Sequence, residues 1–206
     1  SIPSEERTAG GAPLLFHDLF TNGIVYLDLA FDLRALPAEL LPFVPLFARA
    51  LTEMGTARED FVRLVQHIGR ETGGVSAYAG TNTHVQSGEA NGRFYVTGKA
   101  TLGQAREMLA IMRDVLLTGR LDDQERFRQI VTRAKAGRLD PAEWADEQMT
   151  GIEGIFFVRE LERRVEADWP GVQAQLEAVR RHLVNREALI ANLTLDAAGL
   201  QQFGPA

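Results

Sequence analysis

The histidines of this sequence are the first residues to consider for chemistry, because imidazole binds zinc and transfers protons near neutral pH. A zinc site built on one helix needs two histidines at close spacing, as in His-Glu-x-x-His or His-x-x-Glu-His. The four present are His17, His67, His84 and His182, and none has another within five residues. We therefore expect no metal ligand among them. We interpret His17 as a strand residue, His67 and His182 as helix-surface residues, and His84 as a loop residue.

Serine and paired acidic residues could also do chemistry, but their settings favour structural roles. A serine nucleophile needs a constrained turn, a base and an orienting acid. Ser76 lies inside a predicted strand and Ser87 in a polar loop, and neither has a Gly-x-Ser-x-Gly frame. The adjacent Asp122 and Asp123 stand at a predicted helix start, where carboxylates bind free amide groups. We predict no catalytic residue in this chain.

Three further motifs have simple interpretations. Gly69 to Gly74 leaves a helix and enters a strand, whereas a phosphate-binding loop runs from a strand to a helix. Asn192-Leu193-Thr194 matches a glycosylation sequon but falls in a predicted buried strand, so we treat it as chance. Met108 and Met112 are predicted to pack in the core. The sequence thus predicts no catalytic, metal or cofactor-binding residue.

Composition narrows the class of protein. The 206 residues include 45% hydrophobic and 24% charged residues, the usual mix of a soluble globular domain. The net charge of −6 argues against a nucleic-acid partner. Without cysteine, disulfides and thiolate zinc sites are excluded. No apolar run reaches the roughly 18 residues that span a bilayer, so we expect no membrane partner. Arginine outnumbers lysine by 20 to 2, which indicates the codon usage of a GC-rich genome, and the lack of cysteine fits a reducing compartment. We therefore expect a cytoplasmic, bacterial protein.

Hydrophobic periodicity predicts the strands. From Ile24 to Leu33, alternate apolar residues beginning at Val25 indicate a half-buried strand. The run Leu14–Phe16 precedes it across a Thr21-Asn22-Gly23 turn signal, so we predict a hairpin. Three more strands are predicted, at Val75–Thr81, Arg93–Ala100 and Leu189–Leu195, with a polar loop around Asn91-Gly92 between the first two.

Capping signals and apolar stripes predict six helical regions. One ends at Gly55, and Thr56 with Glu59 forms a capping box for the next. The others are predicted to begin at Thr101, at Asp122, at Asp140-Pro141 and at Asp168-Trp169-Pro170. Paired strands separated by paired helices indicate a single α+β domain over residues 13–206: a mostly antiparallel sheet with helices on one face. Residues 1–12 are polar and glycine-rich and are predicted to be a linker.

Several blocks along the chain resemble the third domain of presequence proteases, the long-chain subgroup of the pitrilysin-like (inverzincin) zinc metallopeptidases. These blocks occur in the same order as in that family and cover most of residues 12–196. They are LFHDLFTNGIVYLD at 15–28, LLPFVPLF at 40–47, EMGT at 53–56, IGRETGG at 68–74, GIFFVREL at 154–161, DWP at 168–170 and LVNR at 183–186.

The resemblance implies a fragment of a zinc metalloendopeptidase that degrades peptides inside a closed chamber. In that family four related α+β domains form two halves, and a His-x-x-Glu-His motif in the first domain holds the zinc ion. This chain would then have the other domains of its polypeptide as partners and would form chamber wall and half-to-half packing. Zinc is expected in the first domain of the parent protein, not in this chain.

Alignment of the related domains on Gly55 and Thr56 places Leu46, Arg49 and Ala50 where the zinc motif would stand. None can replace its counterpart, so this domain is expected to be inactive alone. The resemblance also implies a further segment of roughly twenty or more residues between Gly137 and Asp140, which is either deleted in this protein or omitted from the sequence at the Arg138-Leu139 junction. An alternative function is a non-enzymatic scaffold domain, like the degenerate members of the family. A His-x-x-Glu-His helix upstream in the parent gene would favour the peptidase.

Overall fold

The computed structural model describes residues 4–83, 90–137 and 144–203. Its sheet has six strands in the order β1-β2-β6-β3-β5-β4. Neighbouring strands are antiparallel except for β2 and β6, which are parallel. The strands are β1 (Glu5–Ala9), β2 (Ala12–Asp18), β3 (Ile24–Asp32), β4 (Val75–Thr83), β5 (Ala90–Thr101) and β6 (Leu189–Leu195).

Seven helices connect and follow these strands in the described part of the chain. They are α1 (Val44–Glu53), α2 (Phe61–Glu71), α3 (Ala105–Thr118), α4 (Gln124–Gly137), α5 (Trp144–Ala167), α6 (Trp169–Leu183) and α7 (Ala197–Phe203). Short 3-10 turns precede α1 and α3. The irregular entrance to α1 agrees with the three prolines that crowd it, since proline lacks the amide donor that a helix interior needs.

The core lies between one face of the sheet and the helices, as the alternation of β3 predicts. Val25, Leu27 and Phe31 are buried on this face. The Phe47 ring of α1 lies 5.7 Å from the Phe94 ring of β5, which joins the helix layer to the sheet. Gly98 of β5 leaves room for the two methionines of α3. The predicted α+β class, a mostly antiparallel sheet covered on one face, is confirmed.

Two predictions about the strands are wrong. Glu5–Ala9 is not a linker but forms the edge strand β1, which pairs with β2. The predicted hairpin also fails, because β6 lies between β2 and β3 and pairs with both. The turn itself exists, with positive φ at Asn22 and Gly23. It reverses the chain, but the gap it leaves is wide enough for a strand that comes from the far end of the sequence.

Three local boundaries also differ from the predictions. The Thr56 hydroxyl accepts hydrogen bonds from the amides of Arg58 and Glu59, but α2 is capped by Asp60. Asp123, rather than Asp122, accepts from the Arg126 amide and caps α4. In each case the carboxylate directly before the helix provides the cap, not the residue that the motif indicates. Asn91-Gly92 lies in β5, so this strand starts earlier than predicted.

The helix predicted to begin at Thr101 begins later: Thr101 ends β5 and makes no capping hydrogen bond, and α3 starts at Ala105 after a 3-10 turn. The remaining predictions are either met or concern residues outside the described part of the chain, apart from one additional helix. Asp168 caps α6 by accepting a hydrogen bond from the Gly171 amide, 3.1 Å away. Helix α7 was not predicted, and Asp18 of β2 accepts a hydrogen bond from its first amide, at Ala197. His84, Ser87, the Asp140-Pro141 helix start and the junction at Arg138-Leu139 lie outside the described residues.

Candidate interaction surface on the open face of the sheet

The face of the sheet opposite α1 and α3 carries a set of polar and aromatic side chains. Strand register fixes this arrangement, since a residue and its partner across an antiparallel pair point to the same face. Asp28 is paired with Thr97 on one side and with Asn192 on the other. We call this surface the open face. Its central residues are His17, Tyr26, Asp28, Ser76, Tyr78, Tyr95, Thr97, Lys99 and Asn192.

Hydrogen bonds link three strands across the open face. The Asn192 Nδ2 atom donates to the Asp28 carboxylate at 3.0 Å, and Asn192 Oδ1 lies 2.7 Å from His17 Nε2. An ionised carboxylate only accepts, so the amide nitrogen must face Asp28 and the amide oxygen must face His17. The His17 Nε2 atom therefore carries the proton in this contact. The three side chains are held in one orientation before any partner binds.

Hydroxyl groups extend this polar row to the edge of the sheet. Ser76 Oγ of β4 lies 2.9 Å from Thr97 Oγ1 of β5, and Thr97 is the cross-strand neighbour of Asp28. The row thus runs over five adjacent strands, from β2 to β4. Such a row can offer both donors and acceptors to a polypeptide that lies on the sheet.

Tyrosine rings flank the polar row. Tyr78 and Tyr95 stack with ring centroids 5.2 Å apart and an interplanar angle of 23°. Tyr26 and Tyr78 keep 43% and 49% of their surface exposed. Burial, followed by the charges of Asp28 and Tyr95, raises the pKa of Tyr78, which stays a neutral donor at physiological pH. Rings that are half exposed and held in place are typical of contact surfaces.

A shallow cleft lies on the open face beside the loop that joins α2 to β4. It encloses ≈ 380 Å³, with the Asp28 carboxylate and the Lys99 side chain at its walls. The aliphatic part of Lys99 runs over Gly73, where an added Cβ would lie only 3.0 Å from Lys99 Cγ. The predicted helix exit is confirmed, since α2 ends at Glu71 and Gly74 has a positive φ directly before β4. The absence of a side chain at Gly73 makes room for Lys99.

The positions aligned with the zinc motif lie in α1, and two of them face the core. Leu46 and Ala50 are 3% and 0% exposed, whereas Arg49 is on the surface. Among the described residues, no group of three histidine, cysteine, aspartate or glutamate side chains could hold a metal ion. Leu46 and Ala50 are therefore core positions of α1.

The described histidines lie in the elements predicted for them. His67 in α2 is bonded through Nδ1 to Glu59 at 2.8 Å and through Nε2 to Glu107 of α3 at 3.1 Å. This clamp holds α2 against α3. His182 is exposed at the end of α6, where a basic residue suits the helix dipole. His17, by contrast, belongs to the open face, which its strand position did not predict.

Two other predicted positions have different surroundings from those expected. Asn192 of the sequon is not in a buried position but on the open face, where both ends of its amide are hydrogen-bonded. Asp122 pairs with Arg120 at 3.1 Å, and this hydrogen bond lowers the pKa of its carboxyl. Ser76 lies inside β4 as predicted.

The comparison with family models identifies what this fold is. A model for the region associated with M16 peptidases of subfamily C matches residues 1–139, about two thirds of the chain. This chain belongs to that peptidase-associated family. The resemblance to presequence proteases predicted from the sequence is thereby confirmed, because curated presequence proteases also match nearly the whole chain.

Two relatives illustrate this family membership, and one solved structure has a similar fold. Presequence protease 1, chloroplastic/mitochondrial, of Arabidopsis thaliana is 38% identical over 218 residues, covering 97% of this chain and 20% of that protein. The mitochondrial presequence protease of Danio rerio is 26% identical over 90% of this chain and 20% of its own length. A crystal structure of a peptidase M16 inactive domain, from Pseudomonas fluorescens, has a TM-score of 0.63 at 15% identity, over 99% of this chain and 52% of its own.

This member of the peptidase-associated family spans about a fifth of the length of these presequence proteases. The Arabidopsis match runs over 218 residues, more than the 206 present here, so that relative has residues without a counterpart in this chain. In the part of the chain that the structure describes, no helix is both long enough and apolar enough to cross a bilayer.

Proposed function

We propose that this chain is the third domain of a presequence-protease-type zinc metalloendopeptidase and that it acts without a catalytic site of its own. Its function in the parent protein is to form chamber wall and to pack against the other domains through the open face. The observation that carries this proposal is the combination of a preorganised polar face with a helix α1 whose zinc-motif positions Leu46 and Ala50 are apolar and buried.

The open face suits a polypeptide partner better than a small-molecule substrate. Its polar groups are spread along a row over five strands, not gathered in a closed pocket, and the cleft beside them is shallow. Enzyme sites usually collect a few polar groups in an enclosed, mostly apolar cavity. A flat row of donors and acceptors flanked by tyrosines instead resembles the surface of a domain interface.

A peptidase assay tests the absence of catalysis in this domain. The purified 206-residue chain, with and without added zinc, is expected to leave a quenched fluorogenic peptide uncleaved, while the full-length parent protein cleaves it. Zinc-dependent cleavage by the purified chain, abolished by a chelator, would disprove the proposal. A parallel sample of the parent protein treated with the chelator controls for contaminating serine proteases.

The role of the open face can be tested in the full-length protein. Asn192→Leu and Tyr78→Asp change the open face, whereas Arg49→Glu changes an exposed position on the helix side. We expect the first two substitutions to lower kcat/KM for peptide cleavage while the zinc content stays at the wild-type level, and Arg49→Glu to leave both unchanged. Equal activity in all three variants would contradict a role for this face.

The alternative is a scaffold domain in a protein that has lost catalysis. The lack of a zinc motif in α1 is equally consistent with this scaffold function. The sequence of the parent gene distinguishes a scaffold from a peptidase. A His-x-x-Glu-His helix several hundred residues upstream supports the peptidase, and its absence supports the scaffold. We place the parent protein in the bacterial cytoplasm, on the absence of cysteine and the excess of arginine over lysine.

A further inference from the structure

The two edges of the sheet are built differently. Edge strand β1 has five residues, all exposed, and three of them are charged: Glu5, Glu6 and Arg7. Charged side chains and short length are the usual means by which proteins prevent another strand from pairing with a sheet edge. This edge is therefore protected against strand addition.

The opposite edge strand, β4, lacks these protective features. It pairs with β5 over nine consecutive residues in one unbroken register, from Val75 to Thr83. Its sequence, VSAYAGTNT, contains no charged residue and no proline. Within the described residues, no strand lies on its outer side. A long, regular and uncharged edge of this kind is a template for a further strand.

The ladder shows which backbone groups of β4 point outward. The Lys99 amide donates to the Gly74 carbonyl at 3.2 Å. Gly74 is therefore a hydrogen-bonded position of the ladder between β4 and β5. Along an antiparallel pair, hydrogen-bonded and non-hydrogen-bonded positions alternate. Ser76 and Tyr78 consequently direct their backbone groups toward β5. The backbone N–H and C=O groups of the alternate residues point away from the sheet, and these residues are Val75, Ala77 and Ala79.

We propose that the outer edge of β4 binds a free, extended peptide by adding it to the sheet as a seventh strand. The outward N–H and C=O groups of alternate residues match the spacing of a β-strand. The proposal concerns β4 alone and does not depend on the proposed function.

Charge favours a peptide over a second copy of the chain at this edge. The chain carries a net charge of −6, so two copies repel each other, whereas a neutral or cationic peptide is not repelled. Peptide binding is therefore expected without self-association. A dimer formed through paired β4 strands, detected by analytical ultracentrifugation in the absence of peptide, would overturn the proposal.

Amide hydrogen exchange measured by NMR tests the proposal residue by residue. The probe is a ten-residue peptide in which threonine and valine alternate between terminal lysines, added to the 206-residue chain. When the chain is saturated with this peptide, we expect hydrogen exchange to slow about tenfold at the outward amides of Val75, Ala77 and Ala79. The Ser76 and Tyr78 amides should be protected with or without peptide. Unchanged exchange at the outward amides, or effects only on the open face, would refute strand addition.

Two matched controls separate backbone pairing from other contacts. The same peptide with its central amides N-methylated keeps the side chains but loses its donors, and the methyl groups hold its backbone away from β4, so that it should protect no amide of this strand. In the protein, Ala79→Pro removes an outward donor at an exposed position and is expected to weaken binding about threefold to tenfold. Ala79→Thr keeps the donor and should bind like the wild type. Protection of Ser76 and Tyr78 in Ala79→Pro verifies that β4 remains paired with β5, and undiminished binding by this variant would count against the proposal.

Discussion

The Asn192 side-chain amide donates to the Asp28 carboxylate at 3.0 Å, across two strands whose residues are 164 positions apart in the sequence. The same amide accepts from His17 on the other side. One asparagine therefore satisfies polar groups of two neighbouring strands and orders the centre of the open face.

Replacing this asparagine should destabilise the domain. Asn192→Leu leaves the Asp28 carboxylate and the His17 ring without these partners, and we expect the free energy of unfolding in urea to fall by about 1–2 kcal/mol. Asn192→Asp should cost more at pH 7 because it places two carboxylates side by side, and part of that loss should be recovered in acid. Thr194→Val, two residues away on the same face, is the control and should have a smaller effect.

Asp32 provides a prediction for pH dependence. Hydrogen bonds from the Arg34 side chain hold the pKa of the Asp32 carboxyl below its usual value. A carboxyl whose pKa is lowered by folding stabilises the protein above its unfolded pKa, and this contribution disappears as pH falls through the folded pKa.

Asp32→Asn should therefore lower the free energy of unfolding at pH 7 by about 0.5–1 kcal/mol, since Arg34 is largely exposed. The difference from the wild type should vanish near the acid end of the titration. Glu5→Gln, which removes an exposed ion pair with Arg7, should show no change at either pH. A loss in Asp32→Asn that is the same in acid and at pH 7 would argue against the electrostatic origin.

Gly98 tests how closely α3 approaches the sheet. A Cβ at this position would lie 2.8 Å from Met112 Sδ and 3.0 Å from Met108 Sδ. Gly98→Val should lower the free energy of unfolding by about 1–3 kcal/mol because the methionines must move. Gly80→Ala in β4 is the matched control, since its Cβ would be 3.5 Å from the Tyr95 ring. Thermal unfolding followed by circular dichroism compares the two variants.

Installing the zinc motif in α1 should fail for a structural reason. Ala50→His would place an imidazole at a position with no exposed surface, and we expect a loss of more than about 2 kcal/mol in the free energy of unfolding. Arg49→Glu alone, on the surface, should change stability by less than about 0.5 kcal/mol. Tight zinc binding by a folded variant carrying Leu46→His, Arg49→Glu and Ala50→His would contradict the packing seen in α1.

Local sequence patterns predicted most of the elements. The alternation of β3, the apolar stripes of the helices and the Asp168 cap of α6 are all confirmed, because they depend only on neighbours within a few residues. Helix starts were less accurate. At α2 and α4 more than one hydroxyl or carboxylate stands before the helix, and the sequence does not specify which one accepts from the free amides of the first turn.

The sequence alone determined which residues lie on the two faces of β3, that α1 has no zinc motif and which family the chain resembles. Tertiary structure decided which strands are neighbours. By pairing between β2 and β3, β6 brings His17, Asn192 and Asp28 together and leaves β4 at an open edge. Hydrophobic periodicity indicates to which face of its own strand a side chain points. The choice of partner strand depends on contacts between distant segments, which no local pattern contains.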